Sequence, residues 1–354
     1  MSAHSGILII RLSSLGDILH ALPAFAELRA AHPDAKIDWI VAKKCRFLMS
    51  AIPGIDTVHV LDTPEVLHFP PDIHSWRRLL DSIRNLRRKR YDFSIDFQGL
   101  LKTAFLGFLA GAKTRLGFSR ELVREYPAHW FYHRTLARPR EPVHVIQLNC
   151  RLAELTGAIP ATASCDLIAP EEDVQFVDSL LSKARLTDFV IINPGGGWPT
   201  KRWSLEKFGD LAKKIKSELD LPVVVTTGPG EEVYYRAIME RCGSGFSLHF
   251  PVSFLQLIPL FKKARLVIGG DTGPFHLACA LGRPVVGIFG PTSPVRNGPW
   301  RKRDEAITHE LKCSYCYGRT CETGNECMNI SVDEVFSAVA RRLASTGDTK
   351  HAEQ

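Results

Sequence analysis

Polar and apolar positions along the chain follow two rhythms. Short apolar runs at Ile7–Leu12, Ile37–Ala42, Thr57–Leu61 and Phe93–Phe97 read as buried strands. Between them lie stretches with apolar residues at helical spacing. One is Asp17–Ala31, which follows a Ser-Ser-Leu-Gly turn. Another is Ser75–Arg90, where Trp76, Leu79, Leu80, Ile83 and Leu86 fall on one face. Strands separated by helices predict βαβ units and a parallel sheet. The pattern changes after Pro139. His144–Leu155 reads as a helix, Thr156–Pro170 as a Gly- and Pro-bearing linker, and Glu171–Arg185 as a polar helix. A second alternating series follows. Its strands are Phe189–Asn193, Pro222–Thr227, Ser247–Phe250, Leu266–Gly269 and Pro284–Phe289, with helices such as Leu205–Leu219 and Gly230–Arg241 between them. Ser331–Leu343 closes the chain as an amphipathic helix with Val332, Val335, Val339 and Leu343 on one side.

These patterns predict an α/β protein of two doubly wound domains, residues 1–165 and 166–330. A C-terminal helix, 331–345, is expected to pack back toward the first. A length of 354 residues allows each half its own core. No sequence repeat links the halves. In such folds ligands bind at the carboxyl ends of the strands, here expected in the cleft between domains.

Composition adds three points. No apolar run approaches the roughly 18–20 residues that span a bilayer. The stretch Met1–Leu12 carries its one Arg after the apolar run, unlike a signal peptide, so the chain reads as cytoplasmic. The net charge of +7 is no nucleic-acid signature by itself. Part of it is concentrated at Arg77, Arg78, Arg84, Arg87, Arg88, Lys89 and Arg90, against one acid, Asp81; this suits an anionic partner or a solvated helix face. Cys45, Cys150, Cys165, Cys242 and Cys279 are scattered as in buried thiols, and the odd total of nine argues against a disulfide framework.

Five strand ends carry candidate chemistry. Ser13-Ser14-Leu15-Gly16-Asp17 follows the first strand; Asp17 reads as a helix-capping acid or as a general base for an acceptor hydroxyl. The turn lacks G-x-G-x-x-G spacing. Asn193–Trp203 gathers Gly195, Gly196, Gly197, Trp198, Trp203, Lys201 and Arg202 at one strand end, as a diphosphate leaving group requires. Thr226–Glu232 ends a strand and opens a helix with Glu231 and Glu232, suited to the helix dipole or to sugar hydroxyls. Gly269–His276 places Asp271 at a turn and Pro274 at a helix start, with the N–H groups of Thr272 and Gly273 and the side chain of His276 available to phosphate. A single Asp-Thr-Gly excludes an aspartic protease, which needs two. Phe289-Gly290-Pro291-Thr292 is a weaker frame for base or phosphate. No Asp-x-Asp pair is present, which favours a metal-free mechanism with Lys201, Arg202 and helix N-termini at the diphosphate. Cys313, Cys316, Cys321 and Cys327 form a cluster whose first pair alone has zinc-like spacing; a structural loop with or without zinc fits it.

Ser13–Asp17, Asp96-Phe97-Gln98-Gly99-Leu100, Lys201-Arg202-Trp203 and Gly270–His276 resemble the ADP-heptose:lipopolysaccharide heptosyltransferases of glycosyltransferase family 9, in order and spacing. The resemblance runs from about residue 7 to about 343. It implies a GT-B fold of two Rossmann-like domains facing across a cleft, with acceptor on the first and ADP-sugar on the second. It also implies an inverting, metal-independent transfer to the lipopolysaccharide inner core, with no cofactor beyond the ADP-sugar substrate. By the same resemblance Asp17 is the general base and Lys201 meets the donor phosphates. Asp271, Thr272, Gly273 and His276 form the donor loop, and Glu231 or Glu232 meets the ribose. Arg124, Gln98 and Lys102, with Ser13 and Ser14, line the acceptor side. The implied partners are ADP-heptose and an anionic glycolipid, with peripheral contact at the inner face of the inner membrane and no nucleic acid. The cysteine cluster departs from the best-known members. Alternatives are another nucleotide sugar or polysaccharide acceptor, a nucleotide-sugar epimerase, and a non-catalytic binding protein.

Overall fold

A computed structural model describes residues 6–61, 73–159 and 166–347. The chain divides into two compact units, Met1–Ile168 and Ala169–Gln354. In the first, β1 (Gly6–Ile10), β2 (Lys36–Ala42), β3 (Thr57–Leu61), β4 (Phe93–Asp96), β5 (Thr114–Phe118) and β6 (Arg134–Leu136) make one parallel sheet. Its order is β3-β2-β1-β4-β5-β6. In the second, β7 (Val190–Asn193), β8 (Val223–Thr227), β9 (Leu248–Pro251), β10 (Leu266–Gly270), β11 (Val285–Phe289) and β12 (Glu305–Thr308) make another, in the order β12-β11-β10-β7-β8-β9. Numbered within its own unit, each sheet runs 3-2-1-4-5-6, the doubly wound Rossmann order. Each has one switch point, between β1 and β4 and between β7 and β10, where neighbouring strands lead to opposite sides of the sheet.

The central strands are apolar because helices cover both faces. Every residue of β1, β7, β8, β10 and β11 is buried. In the second unit Phe208, Leu211, Ala212 and Ile215 of the Leu205–Leu219 helix close one face, against Val190, Ile192, Val223 and Val225. Each such large side chain contributes roughly 1.5–3 kcal/mol on burial.

The structure alters one expected helix and adds three strands. The helix expected over Asp17–Ala31 is two, Leu15–Leu19 and Leu22–Ala31. Pro23 cannot donate back into a preceding turn, so the first helix ends and a second starts with Pro in its first turn. The last helix, Val332–Gly347, belongs to the second unit. Val335, Ala338, Val339 and Leu343 join that unit's core, and Arg342 reaches Asp304 beside β12 at 2.7 Å. Strand β5 and the edge strands β6 and β12 are additions; their polar residues hid them. The basic helix spans Ile73–Lys89, with Arg84, Arg87, Arg88 and Lys89 exposed. The side chains of Arg77 and Arg78, and all of Cys165, lie outside the described residues.

Candidate active site

At the first switch point Ile10 pairs with Asp96, so the turns after β1 and β4 emerge side by side. Arg11, the last residue of the apolar run, is buried. Its guanidinium meets the Asp17 carboxylate at 2.6 Å and also donates to the Phe97 carbonyl. Arg124 reaches the same Asp17 oxygen at 3.6 Å. The Ser14 N–H and hydroxyl each donate to Asp17 Oδ2 at 3.1 Å. Burial alone raises the Asp17 pKa. The two arginines and the Ser14 N–H outweigh it and hold the carboxyl well below the usual carboxylate range. Asp17 is therefore both a capping acid and an ionised carboxylate at the carboxyl edge of the sheet.

Gln98 is buried, and its Oε1 accepts from the Leu12 N–H at 2.8 Å. That bond ties the two turns together, so the side chain first of all positions the site. The Asp96 carboxylate below accepts from the Gln98 and Gly99 N–H groups and from the Tyr132 hydroxyl at 2.7 Å. Arg124 is delivered by its own backbone, whose N–H donates to the Gly99 carbonyl at 3.0 Å. Ser13 is half-buried, and Ser14 and Lys102 are exposed on this edge. Arg11 and Tyr132 are not among the sequence candidates, and Asp96 appears there only within the motif that carries the resemblance. An arginine closing an apolar strand was the available signal, since such a charge requires a buried partner.

At the second switch point Gly269 pairs with Asn193. Lys201, in the loop after β7, donates to Asp271 Oδ2 at 2.7 Å, and His276 Nε2 stands 2.7 Å from Oδ1 of the same carboxylate. Burial alone raises the Asp271 pKa; His276 and Lys201 outweigh it and hold it far below the usual range. Thr272 caps the Gly273–Ala280 helix, accepting from the Phe275 N–H. The N–H groups of Thr272 and Gly273 come before the helix's own hydrogen bonds and have no acceptor within it. The Lys201 ammonium also lies 4.2 Å from the centre of the Trp198 ring. Arg202 donates to the Gly196 carbonyl at 2.9 Å, and Gly197 stands exposed.

Glu231 and Glu232 separate clearly. Glu231 accepts from the Gly228 N–H at 2.9 Å, and a Cβ on Gly195 would lie 2.9 Å from its Oε2. Glycine at 195 thus lets the β7 loop close on the Glu231 carboxylate. Glu232 is exposed. Gly290 is also a packing glycine, since a Cβ there would lie 2.4 Å from Met328 Sδ. Thr292 is buried, and its hydroxyl has no partner among the described residues.

Two units of Rossmann order, each with charged groups at its switch point, make up a GT-B fold. The chain belongs to glycosyltransferase family 9 (heptosyltransferase), whose family model matches residues 79–326. It is 26% identical over 315 residues to the lipopolysaccharide core heptosyltransferase OpsX of Haemophilus influenzae, covering 86% of this chain and 85% of that one. It is 28% identical over 334 residues to lipopolysaccharide heptosyltransferase 1 of Pseudomonas aeruginosa, covering 89% and 87%. Among solved structures, the fold matches that of E. coli heptosyltransferase WaaC with ADP at a TM-score of 0.77 and 23% identity, covering 95% and 99%. A family 9 glycosyl transferase from Veillonella parvula matches at a TM-score of 0.81 and 22% identity, covering 96% and 98%.

Proposed function

We propose that the protein transfers heptose from ADP-heptose to the lipopolysaccharide inner core, on a Kdo- or heptose-bearing lipid A precursor, with inversion and without a divalent metal. The observation that carries this reading is the Lys201–Asp271–His276 cluster at the switch point of the second sheet, beside a helix N-terminus. A departing ADP carries negative charge on its β-phosphate. Lys201, Arg202 and the Thr272 and Gly273 N–H groups offer compensation there. Asp271 holds the ammonium in place and Glu231 is placed for the ribose.

On the first unit, Asp17 takes the proton of the acceptor hydroxyl as its oxygen bonds to the anomeric carbon and the bond from that carbon to the diphosphate oxygen breaks. A carboxylate kept this acidic is a weak base toward a free alcohol. The hydroxyl becomes strongly acidic only as the new bond forms, so proton transfer belongs late in the step. Arg124 and Lys102 supply positive charge for an acidic acceptor. Peripheral contact with an anionic leaflet is supported by the exposed Arg84, Arg87 and Arg88 and by exposed Phe105, Phe108 and Trp130. Among the described residues, no helix is long and apolar enough to cross a membrane.

The test is a product assay with ADP-, UDP- and GDP-sugars, each with and without a Kdo-bearing lipid A acceptor and with chelator. Transfer from ADP-heptose in chelator, with inverted anomeric configuration, is expected. Donor conversion in the absence of any acceptor would indicate an epimerase and overturn the reading.

A further inference from the structure

Both carboxylate oxygens of Asp17 are engaged, and their partners are unequal. A carboxylate offers about four lone-pair positions. Oδ2 accepts from the Ser14 N–H and from the Ser14 hydroxyl, each at 3.1 Å. Oδ1 meets the Arg11 guanidinium at 2.6 Å. The remaining position on Oδ1 faces the Arg124 guanidinium at 3.6 Å, beyond hydrogen-bond length. Each position thus has a partner among the described residues. One of them has to leave before Asp17 can receive the proton of an acceptor hydroxyl.

The four contacts differ in how firmly they are held. The Arg11 side chain is 2% exposed, stands at the end of β1 and also donates to the Phe97 carbonyl. The Ser14 N–H belongs to the backbone turn that opens the Leu15–Leu19 helix. The Ser14 hydroxyl can rotate, but it is neutral, so an anion attracts it far less than it attracts a guanidinium. The Arg124 side chain is 47% exposed, and Asp17 is its one ion-pair partner among the described residues. Arg11 and Arg124 approach the same oxygen, so their like charges repel there. Arg124 is the outer and longer contact of the two. Its backbone N–H is tied to the Gly99 carbonyl at 3.0 Å, so its side chain can turn while the loop stays in place.

We propose that an anionic group of the acceptor takes the Arg124 guanidinium away from Asp17, and that this exchange opens Oδ1 to the acceptor hydroxyl. A half-exposed ion pair is weakly held, whereas a guanidinium meets a carboxylate or phosphate through two parallel hydrogen bonds. Arg11 remains and keeps the carboxylate oriented. The hydroxyl proton then passes to Oδ1 as the hydroxyl oxygen bonds to the anomeric carbon, and the electron pair of the broken bond leaves on the diphosphate oxygen. Arg124 therefore anchors the acceptor and uncovers the base in one movement. The exchange rests on the transfer reading given above, with Asp17 as its base.

Wild type, Arg124→Gln and Ser14→Ala are compared on a Kdo-bearing lipid A acceptor and on two neutralised forms of it. One form carries the sugar carboxylate as its methyl ester; the other lacks the phosphates. At saturating ADP-heptose, kcat and acceptor KM are read separately. In wild type, removing the anion that engages Arg124 should lower kcat on the order of tenfold besides raising KM, because the guanidinium then stays on Asp17. The form that does so identifies carboxylate or phosphate as the source. Arg124→Gln should turn over that neutralised acceptor faster than wild type does, by a comparable factor, with a kcat that no longer depends on the anion. A residue that only anchors would change KM alone, and a merely structural one would lower kcat on every acceptor; either result overturns the exchange. A gain on the neutralised acceptor from Ser14→Ala in place of Arg124→Gln also overturns it, by putting the opening at Oδ2. The wild-type comparison decides the matter if the variants fail to fold, since an unchanged kcat on both neutralised acceptors is itself a refutation. Full activity of Asp17→Asn, or no transfer from ADP-heptose to any of the three acceptors, would remove the transfer reading itself and the exchange with it.

Discussion

Replacing Lys201 by Met tests the electrostatics of the second switch point. The Lys201 side chain is 14% exposed and its partner Asp271 is 4% exposed. Removing one member of a buried pair typically costs about 3–5 kcal/mol, chiefly by leaving the other charge without compensation. Asp271 keeps His276 as a partner, so the expected loss is smaller, about 2–3 kcal/mol at pH 7. Two consequences separate lost charge compensation from lost packing. First, adding Asp271→Asn removes the stranded charge, so Lys201→Met/Asp271→Asn should be more stable than Lys201→Met alone, by about 1–2 kcal/mol. Second, the pH dependence should change. The folded pKa of Asp271 lies below its unfolded value, so its contribution is present above the unfolded pKa of about 4 and fades as pH falls toward the folded one. Without Lys201 the depression shrinks, and the variant should lose less stability than wild type on acidification below about pH 4. Urea unfolding of the four members of the cycle, at pH 7 and again near pH 3, reads both effects. A double variant no more stable than Lys201→Met would refute the buried-charge reasoning.

Three further outcomes are expected. Asp17→Asn should lower kcat by about 10²–10⁴-fold while leaving ADP affinity unchanged by calorimetry, because base and nucleotide site lie on different units; full activity would remove Asp17 from the chemistry. Gly290→Ala drives a methyl into Met328 Sδ and should cost about 1–3 kcal/mol in thermal unfolding, partly recovered by Met328→Ala; an unchanged melting temperature would count against the packing role. Asp38 is buried; burial raises its pKa, but hydrogen bonds from His59 and Tyr91 outweigh this and lower it to about 2. Its contribution of about 2 kcal/mol is present above the unfolded pKa of about 4 and lost as pH falls through about 2. In acid titration monitored by circular dichroism, Asp38→Asn should lack that part of the acid sensitivity.

The central strands were legible because parallel strands covered on both faces must be apolar throughout, as Ile7–Ile10 and Leu266–Gly270 are. Edge strands escape that demand. Arg134–Leu136 and Glu305–Thr308 carry charge because one side faces solvent, and no periodicity announces them. Strand ends were legible as candidate sites because glycine, acid and cation cluster there. Partnership was not legible. Arg11 and Asp17 are six residues apart, but the Arg124 that joins them comes from another strand's loop, and Lys201 meets Asp271 across 70 positions. Which of Glu231 and Glu232 faces the β7 loop was not legible either; the backbone path turns Glu231 toward Gly195.

The two switch points also bear on how the chain acquires activity. In each unit the functional cluster forms where the first strand pairs with the fourth, the most distant in sequence of the central pairings. Leu12 and Gln98 are joined across 86 positions, and Lys201 and Asp271 across 70. Contacts of such separation carry a large loop-closure cost and form slowly. A partly folded species holding only β1, β2 and β3, or β7, β8 and β9, has helices and a sheet but neither Asp17 nor Lys201 in its setting. Recovery of transfer activity after dilution from denaturant should therefore lag behind recovery of secondary structure, making catalysis a more stringent reporter of completed folding than circular dichroism.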